Sequence, residues 1–124
     1  MSPTALDNGV LVPVAEARVS VLDRGFLFAD GVYEVVPAYG GKPFALKEHL
    51  ARLAPSLKEL QIANPHSEAE WTEFTHKLME HNGGGDCMIY FQITRGAPDK
   101  RSHAFPTNTR PTVVGLCNAL PTPG

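Results

Sequence analysis

Between Val19 and Val36 the chain reads Val-Ser-Val-Leu-Asp-Arg-Gly-Phe-Leu-Phe-Ala-Asp-Gly-Val-Tyr-Glu-Val-Val, which sets two acidic-glycine turn signals directly ahead of a β-branched strand. From Val32 to Tyr39 the residues are mostly β-branched or aromatic, and Gly40-Gly41 turns the chain into a short strand around Lys42 to Ala45. Alternation along the strand puts Tyr33, Val35 and Pro37 on one face and Val32, Glu34 and Val36 on the other. Asp7-Asn8-Gly9, flanked by Thr4-Ala5-Leu6 and Val10-Leu11-Val12, is a second tight-turn signal, with Pro13 ending its strand. Turns this short imply antiparallel pairing.

Leu46 to Ile62 reads as a helix, with Leu46, Leu50, Leu53, Leu57 and Leu60 along one face. Pro55 falls inside it, so a bend or a break near Ala54 is expected. Ser67-Glu68-Ala69-Glu70 is a capping-box pattern opening a second helix, whose Trp71, Phe74, Leu78 and Met79 share a face until Asn82-Gly83-Gly84-Gly85 stops it. Cys87 to Thr94 alternates Cys87, Ile89, Phe91 and Ile93 against Met88, Tyr90, Gln92 and Thr94, the pattern of a strand with one buried face. Thr112 to Cys117 reads as the last strand, and Arg95 to Pro111 between them as a long irregular segment. The fold class is α+β, a largely antiparallel sheet with two helices packed on one side.

A chain of 124 residues, 43% hydrophobic and 19% charged, suits one domain with a core of its own. A net charge of -2, with acids and bases mixed, offers no basic surface to nucleic acid or an anionic membrane. The two cysteines, Cys87 and Cys117, each lie in an apolar β-like run and read as buried free thiols rather than a disulfide. The N-terminus lacks a basic and apolar leader, no run could span a bilayer, and the expected location is the cytoplasm. His76 and His81, five apart, miss a common helix face, and no metal site is indicated. The Gly83–Gly85 cluster lacks the lysine and hydroxyl residue of a phosphate loop and reads as a connector.

Four residues could carry the chemistry of a binding site. Tyr33 can project its hydroxyl into a cleft, although from its strand position alone a core tyrosine with a satisfied hydroxyl is the better fit. Arg52, on the first long helix, offers the rigid donor fork that suits a phosphate, or is a solvated surface arginine. Arg101 and His103 are two apart in the irregular segment, where an extended backbone would aim both at one anion unless the loop simply faces solvent.

Three separated segments weigh on these choices: the Asp30-Gly31-Val32-Tyr33-Glu34 step, Glu48-His49-Leu50-Ala51-Arg52-Leu53, and Arg101-Ser102-His103-Ala104-Phe105-Pro106. Together they resemble the small N-terminal domain of class IV (fold type IV) pyridoxal-phosphate aminotransferases, and most of all the D-amino acid aminotransferases. The resemblance runs from about Val10 to Thr112. It implies that Tyr33 helps bind the substrate carboxylate with Val35 beside it in the substrate site, that Arg52 contacts the phosphate of pyridoxal 5'-phosphate, and that Arg101 and His103 grip the same α-carboxylate, commonly from the neighbouring subunit of a homodimer. Glu34 has a separate role that the resemblance does not specify.

On this reading residues 1–117 form the small domain and residues 118–124 begin an interdomain linker. The reaction would move an amino group from a D-amino acid to a 2-oxo acid. None of Lys42, Lys47, Lys58, Lys77 and Lys100 falls in the family's Schiff-base motif, so the catalytic lysine is expected in a C-terminal domain, and this chain alone is expected to be inactive. Within the class, branched-chain aminotransferases and aminodeoxychorismate lyases share the Asp-Gly and helix-arginine motifs, but the branched-chain enzymes lack the Arg-x-His pair. From another class, a non-catalytic dimerisation or binding module would keep the fold without the chemistry.

Overall fold

The computed structural model describes residues 3–106 and 109–120. Its elements are β1 (Thr4–Asp7), β2 (Val10–Pro13), a short 3-10 turn (Val14–Glu16), α1 (Arg24–Phe28), β3 (Gly31–Tyr39), β4 (Lys42–Pro43), α2 (Leu46–Glu59), α3 (Glu68–His81), β5 (Cys87–Thr94) and β6 (Thr112–Ala119). The strands form one six-stranded antiparallel sheet in the order β2-β1-β6-β5-β3-β4.

Both tight turns fold as their residues dictate. Asn8 and Gly9 have φ of 47° and 88°, and Gly40 and Gly41 have 58° and 78°, the double positive φ that matches the twist of a two-residue hairpin. Register then sorts the side chains. Glu34 stands opposite Phe91 and Phe91 opposite Gly115, while Tyr33 stands opposite Gln92 and Val35 opposite Tyr90. The first row lies under α2 and α3; the second lies on the face away from them. The core is built on the helix side from Val36, Ile89, Phe91, Ile93 and Val113 of the sheet, Leu50, Leu53 and Leu57 of α2, and Trp71, Leu78 and Met79 of α3. Burial of this apolar set supplies the main stabilisation, about 1.5–3 kcal/mol for each large side chain removed from water.

Four details differ from the sequence expectation. First, α2 runs unbroken through Pro55, because Pro55 lies on the exposed side while Leu53 and Leu57, on either side of it, are each 1% exposed and hold the helix to the sheet. Second, α2 stops at Glu59, so Leu60 is a C-terminal residue that is exposed rather than part of the apolar face. Third, a short helix, α1, occupies the Asp23-Arg24-Gly25 turn, capped by the Asp23 carboxylate, which accepts from Gly25 N–H at 2.8 Å. Fourth, β4 ends at Pro43 and β6 continues through Ala119, two residues past Cys117, so the start of the expected linker is strand. The remainder of that linker, from residue 121 onward, lies outside the described residues. The capping box of α3 forms as read: Ser67 Oγ accepts from Glu70 N–H at 3.1 Å and Glu70 Oε1 accepts from Ser67 N–H at 2.9 Å.

Candidate active site at the free edge of the sheet

β3 is paired with β5 along most of its length, but its outer edge meets β4 only at Ala38 and Tyr39. Over that open edge lies a recess of about 340 Å³ lined by Tyr33, Glu34, Val35, Arg52 and Ser56. Strand alternation makes the site possible: Tyr33 and Val35 approach it from the outer face of the sheet and Glu34 from the helix face, while α2 brings Arg52 alongside.

Tyr33 is 68% exposed, which excludes a core tyrosine; its ring stacks on Tyr90 with centroids 5.9 Å apart. Arg52 has a side chain 66% exposed, yet it is not merely solvated. Its Nη2 donates to Glu34 Oε1 in a short ion pair, and its Nε lies 3.4 Å from Glu34 Oε2. His49 completes the group, with Nδ1 2.5 Å from Glu34 Oε1. A bare ring nitrogen would repel a carboxylate at that distance, so we assign the proton to Nδ1, donating to Glu34.

Glu34 is buried. Burial by itself would raise its carboxyl, but the hydrogen bonds and charges of Arg52 and His49 outweigh that and hold it below its ordinary value. Glu34 in turn, through its hydrogen bond and charge, raises Arg52 above the ordinary arginine value. Glu34 therefore anchors the guanidinium from the sheet side. Nη1 has no hydrogen-bond partner among the described residues and remains available to an anion at the recess. A phosphate fits this arrangement, since a charged fork held by a buried carboxylate loses little freedom on binding it. None of the five lysines lines the recess.

Arg101 and His103 lie elsewhere in the protomer. The structure brings them together at a single ring: the Arg101 guanidinium is 5.0 Å from the Phe28 centroid, and the His103 ring is 5.1 Å from it. Both are exposed, and neither lines the recess of Tyr33 and Arg52 among the described residues.

Sequence reasoning left Glu34 without a role and passed over His49, Arg24, Asp30 and Arg95. The signal for His49 was its i, i+3 spacing to Arg52, which places both on the side of α2 that meets β3. Arg24 and Asp30 gave a weaker signal, an acid and a base six apart inside the turn-rich stretch.

The fold belongs with a defined class. Residues 31–124 match the model for "Amino-transferase class IV", and the chain belongs to that family. Among curated relatives it is 41% identical over 101 residues to the D-alanine aminotransferase of Listeria monocytogenes serotype 1/2a, an alignment covering 82% of this chain and 35% of that protein. It is 38% identical over 117 residues to the D-alanine aminotransferase of Staphylococcus aureus, covering 94% of this chain and 41% of that one. Among solved structures, a T.th. branched-chain amino acid aminotransferase with pyridoxamine 5'-phosphate superposes with a TM-score of 0.87 at 27% identity, over 97% of this chain and 41% of that chain. The chain thus spans about two fifths of the length of these relatives.

Proposed function

We propose that this chain is the small N-terminal domain of a pyridoxal 5'-phosphate-dependent D-amino acid aminotransferase that works as a homodimer with its own C-terminal, lysine-bearing domain. The observation that supports this reading is the meeting of Arg101 and His103 on the ring of Phe28, where both could donate to one anion, in a chain with D-alanine aminotransferases among its curated relatives.

Bound in the recess, the cofactor would supply the electron sink for amino-group transfer. Arg52 would hold its phosphate through the guanidinium edge that Glu34 leaves free, and Glu34 with His49 would fix the position of Arg52. Tyr33 and Val35 would border the substrate, the tyrosine hydroxyl offering a hydrogen bond and Val35 shaping the side-chain pocket. Arg101 and His103, given by the neighbouring subunit, would bind the α-carboxylate. Fixing the carboxylate on one side while the side chain occupies another pocket would decide which face of Cα presents its hydrogen for removal, so the location of the anion site would select the enantiomer. The test is amino transfer to 2-oxoglutarate by the complete enzyme, comparing D-alanine with L-leucine. Preference for the D-substrate is expected; turnover of L-leucine alone would overturn the assignment.

A further inference from the structure

The segment from Lys100 to Phe105 contains no helix or strand, yet three consecutive carbonyls in it turn toward one side chain. Arg24 Nη1 donates to Ser102 O at 2.6 Å and Ala104 O at 3.3 Å, and Nη2 reaches His103 O at 3.5 Å. The main-chain N–H of Arg24 donates to Gly96 O at 2.9 Å. A single residue therefore ties both the start of the loop and its middle.

Arg24 is 3% exposed, and a guanidinium so far from water must be compensated. Asp30 does this, its Oδ2 lying 2.8 Å from Arg24 Nε. The same carboxylate accepts from Arg95 Nε at 2.7 Å and Nη2 at 3.2 Å, while Arg95 Nη2 donates to Leu60 O at 2.7 Å just beyond α2. Phe105 lies over both guanidinium groups, 5.2 Å from Arg24 and 4.3 Å from Arg95. Only an arginine fork can serve a carboxylate with one edge and a row of carbonyls with the other. Because the carbonyls of residues 102–104 are drawn inward to Arg24, the side chains of Arg101 and His103 stay at the surface and meet at Phe28, which also contacts Arg24 at 4.7 Å.

We propose that Arg24, oriented by Asp30, is a positioning residue for substrate recognition: it sets the main chain of residues 102–104 and so the separation and aim of Arg101 and His103. The proposal rests on the carboxylate site put forward above. Arg24 touches neither substrate nor cofactor and acts through the loop.

The test is made in the complete dimeric enzyme. Arg24→Lys keeps the charge but cannot serve Asp30 and three carbonyls at once, so KM for D-alanine should rise about tenfold while kcat stays within about twofold. Cleavage by trypsin after Arg101 in the substrate-free enzyme should quicken by about tenfold as the loop loosens. The double variant Arg24→Lys/Arg101→Ala should have a KM within about twofold of Arg101→Ala alone, since both changes remove the same contact. Should Arg24→Lys fail to fold, Asp30→Asn keeps an acceptor while weakening the orientation of Arg24, and should raise KM in the same direction with a smaller change. A folded Arg24→Lys or Asp30→Asn with unaltered KM, or losses that multiply in the double variant, would overturn the positioning role. If Arg101→Ala itself leaves KM unaltered, the carboxylate site fails; if Arg101→Ala raises KM and the Arg24 and Asp30 variants do not, only the positioning role fails.

Discussion

Glu34 and His49, on different elements, meet at 2.5 Å across the contact between β3 and α2, and Arg52 shares the same carboxylate oxygen. The carboxylate is buried and the arginine is exposed, so the buried member fixes the exposed one.

The first prediction follows from that asymmetry. In the complete enzyme Arg52→Ala should weaken retention of pyridoxal 5'-phosphate by about tenfold or more, by loss of a charge-assisted phosphate contact. Glu34→Gln should weaken it less, because the guanidinium remains but is no longer anchored. Equilibrium dialysis measures both. Unchanged cofactor affinity in a folded Arg52→Ala protein would return Arg52 to the solvated surface.

A second prediction concerns acid. Both Glu34 and Asp30 are held below their ordinary values: burial opposes this, but Arg52 and His49 act on Glu34, and Arg95 and Arg24 on Asp30, more strongly. A carboxyl lowered in the folded state binds protons more readily when unfolded, so its stabilisation is present in full above the ordinary value, 4.5 for Glu34 and 3.8 for Asp30, and is lost as pH falls through the lowered one. Melting temperatures should therefore drop below pH 4.5, and Glu34→Gln should flatten part of that drop. Acid limbs that run parallel for the wild type and Glu34→Gln would count against the coupling.

Much of the fold could be read before the structure because its signals are local. Asn8-Gly9 and Gly40-Gly41 can adopt the φ values a tight hairpin needs, and alternation from Cys87 to Ile93 leaves one face for the core. Ser67 and Glu70 cap α3 through contacts three residues apart. Tyr33, Val35 and Arg52, which line the recess, could be named singly from the sequence, but the network around them could not. Arg24 and Ser102 are 78 positions apart, and Asp30 and Arg95 are 65, and no periodicity links such pairs. The break expected at Pro55 does not occur for a related reason: its helix-breaking tendency is local, whereas the leucines that keep α2 continuous act through the sheet.

Cys87 and Cys117 lie on the buried face of adjacent strands as free thiols. Burial, together with the neighbouring Cys87, pushes the Cys117 thiol up to about 12. At pH 8 its thiolate fraction is then about one in ten thousand, and the thiolate is the reactive form. Iodoacetamide should leave both cysteines unmodified in the native protein and alkylate both after unfolding, as read by mass spectrometry. Rapid native labelling of Cys117 would show that strand β6 opens.

The last prediction tests whether Arg101 and His103 serve a neighbouring subunit. Both stand at Phe28, outside the recess that Tyr33 and Arg52 line in the same protomer. Removing the Arg101 guanidinium should raise KM for D-alanine by about tenfold or more, through loss of a charged hydrogen bond, whereas Val35→Ala should chiefly change which side chains are tolerated. A dimer of one Arg101→Ala protomer and one protomer lacking the catalytic lysine decides the geometry. If the loop is donated across the interface, the site that keeps its lysine receives Arg101 from the other subunit and is intact, while both defects gather in the second site. At D-alanine well below KM, about half of the wild-type activity per dimer should return. With the loop serving its own protomer, each site would carry one defect, and the mixed dimer would show no more than the low residual activity of its Arg101→Ala site. A purified heterodimer without recovered activity, alongside a raised KM in Arg101→Ala, would place the carboxylate site within one subunit.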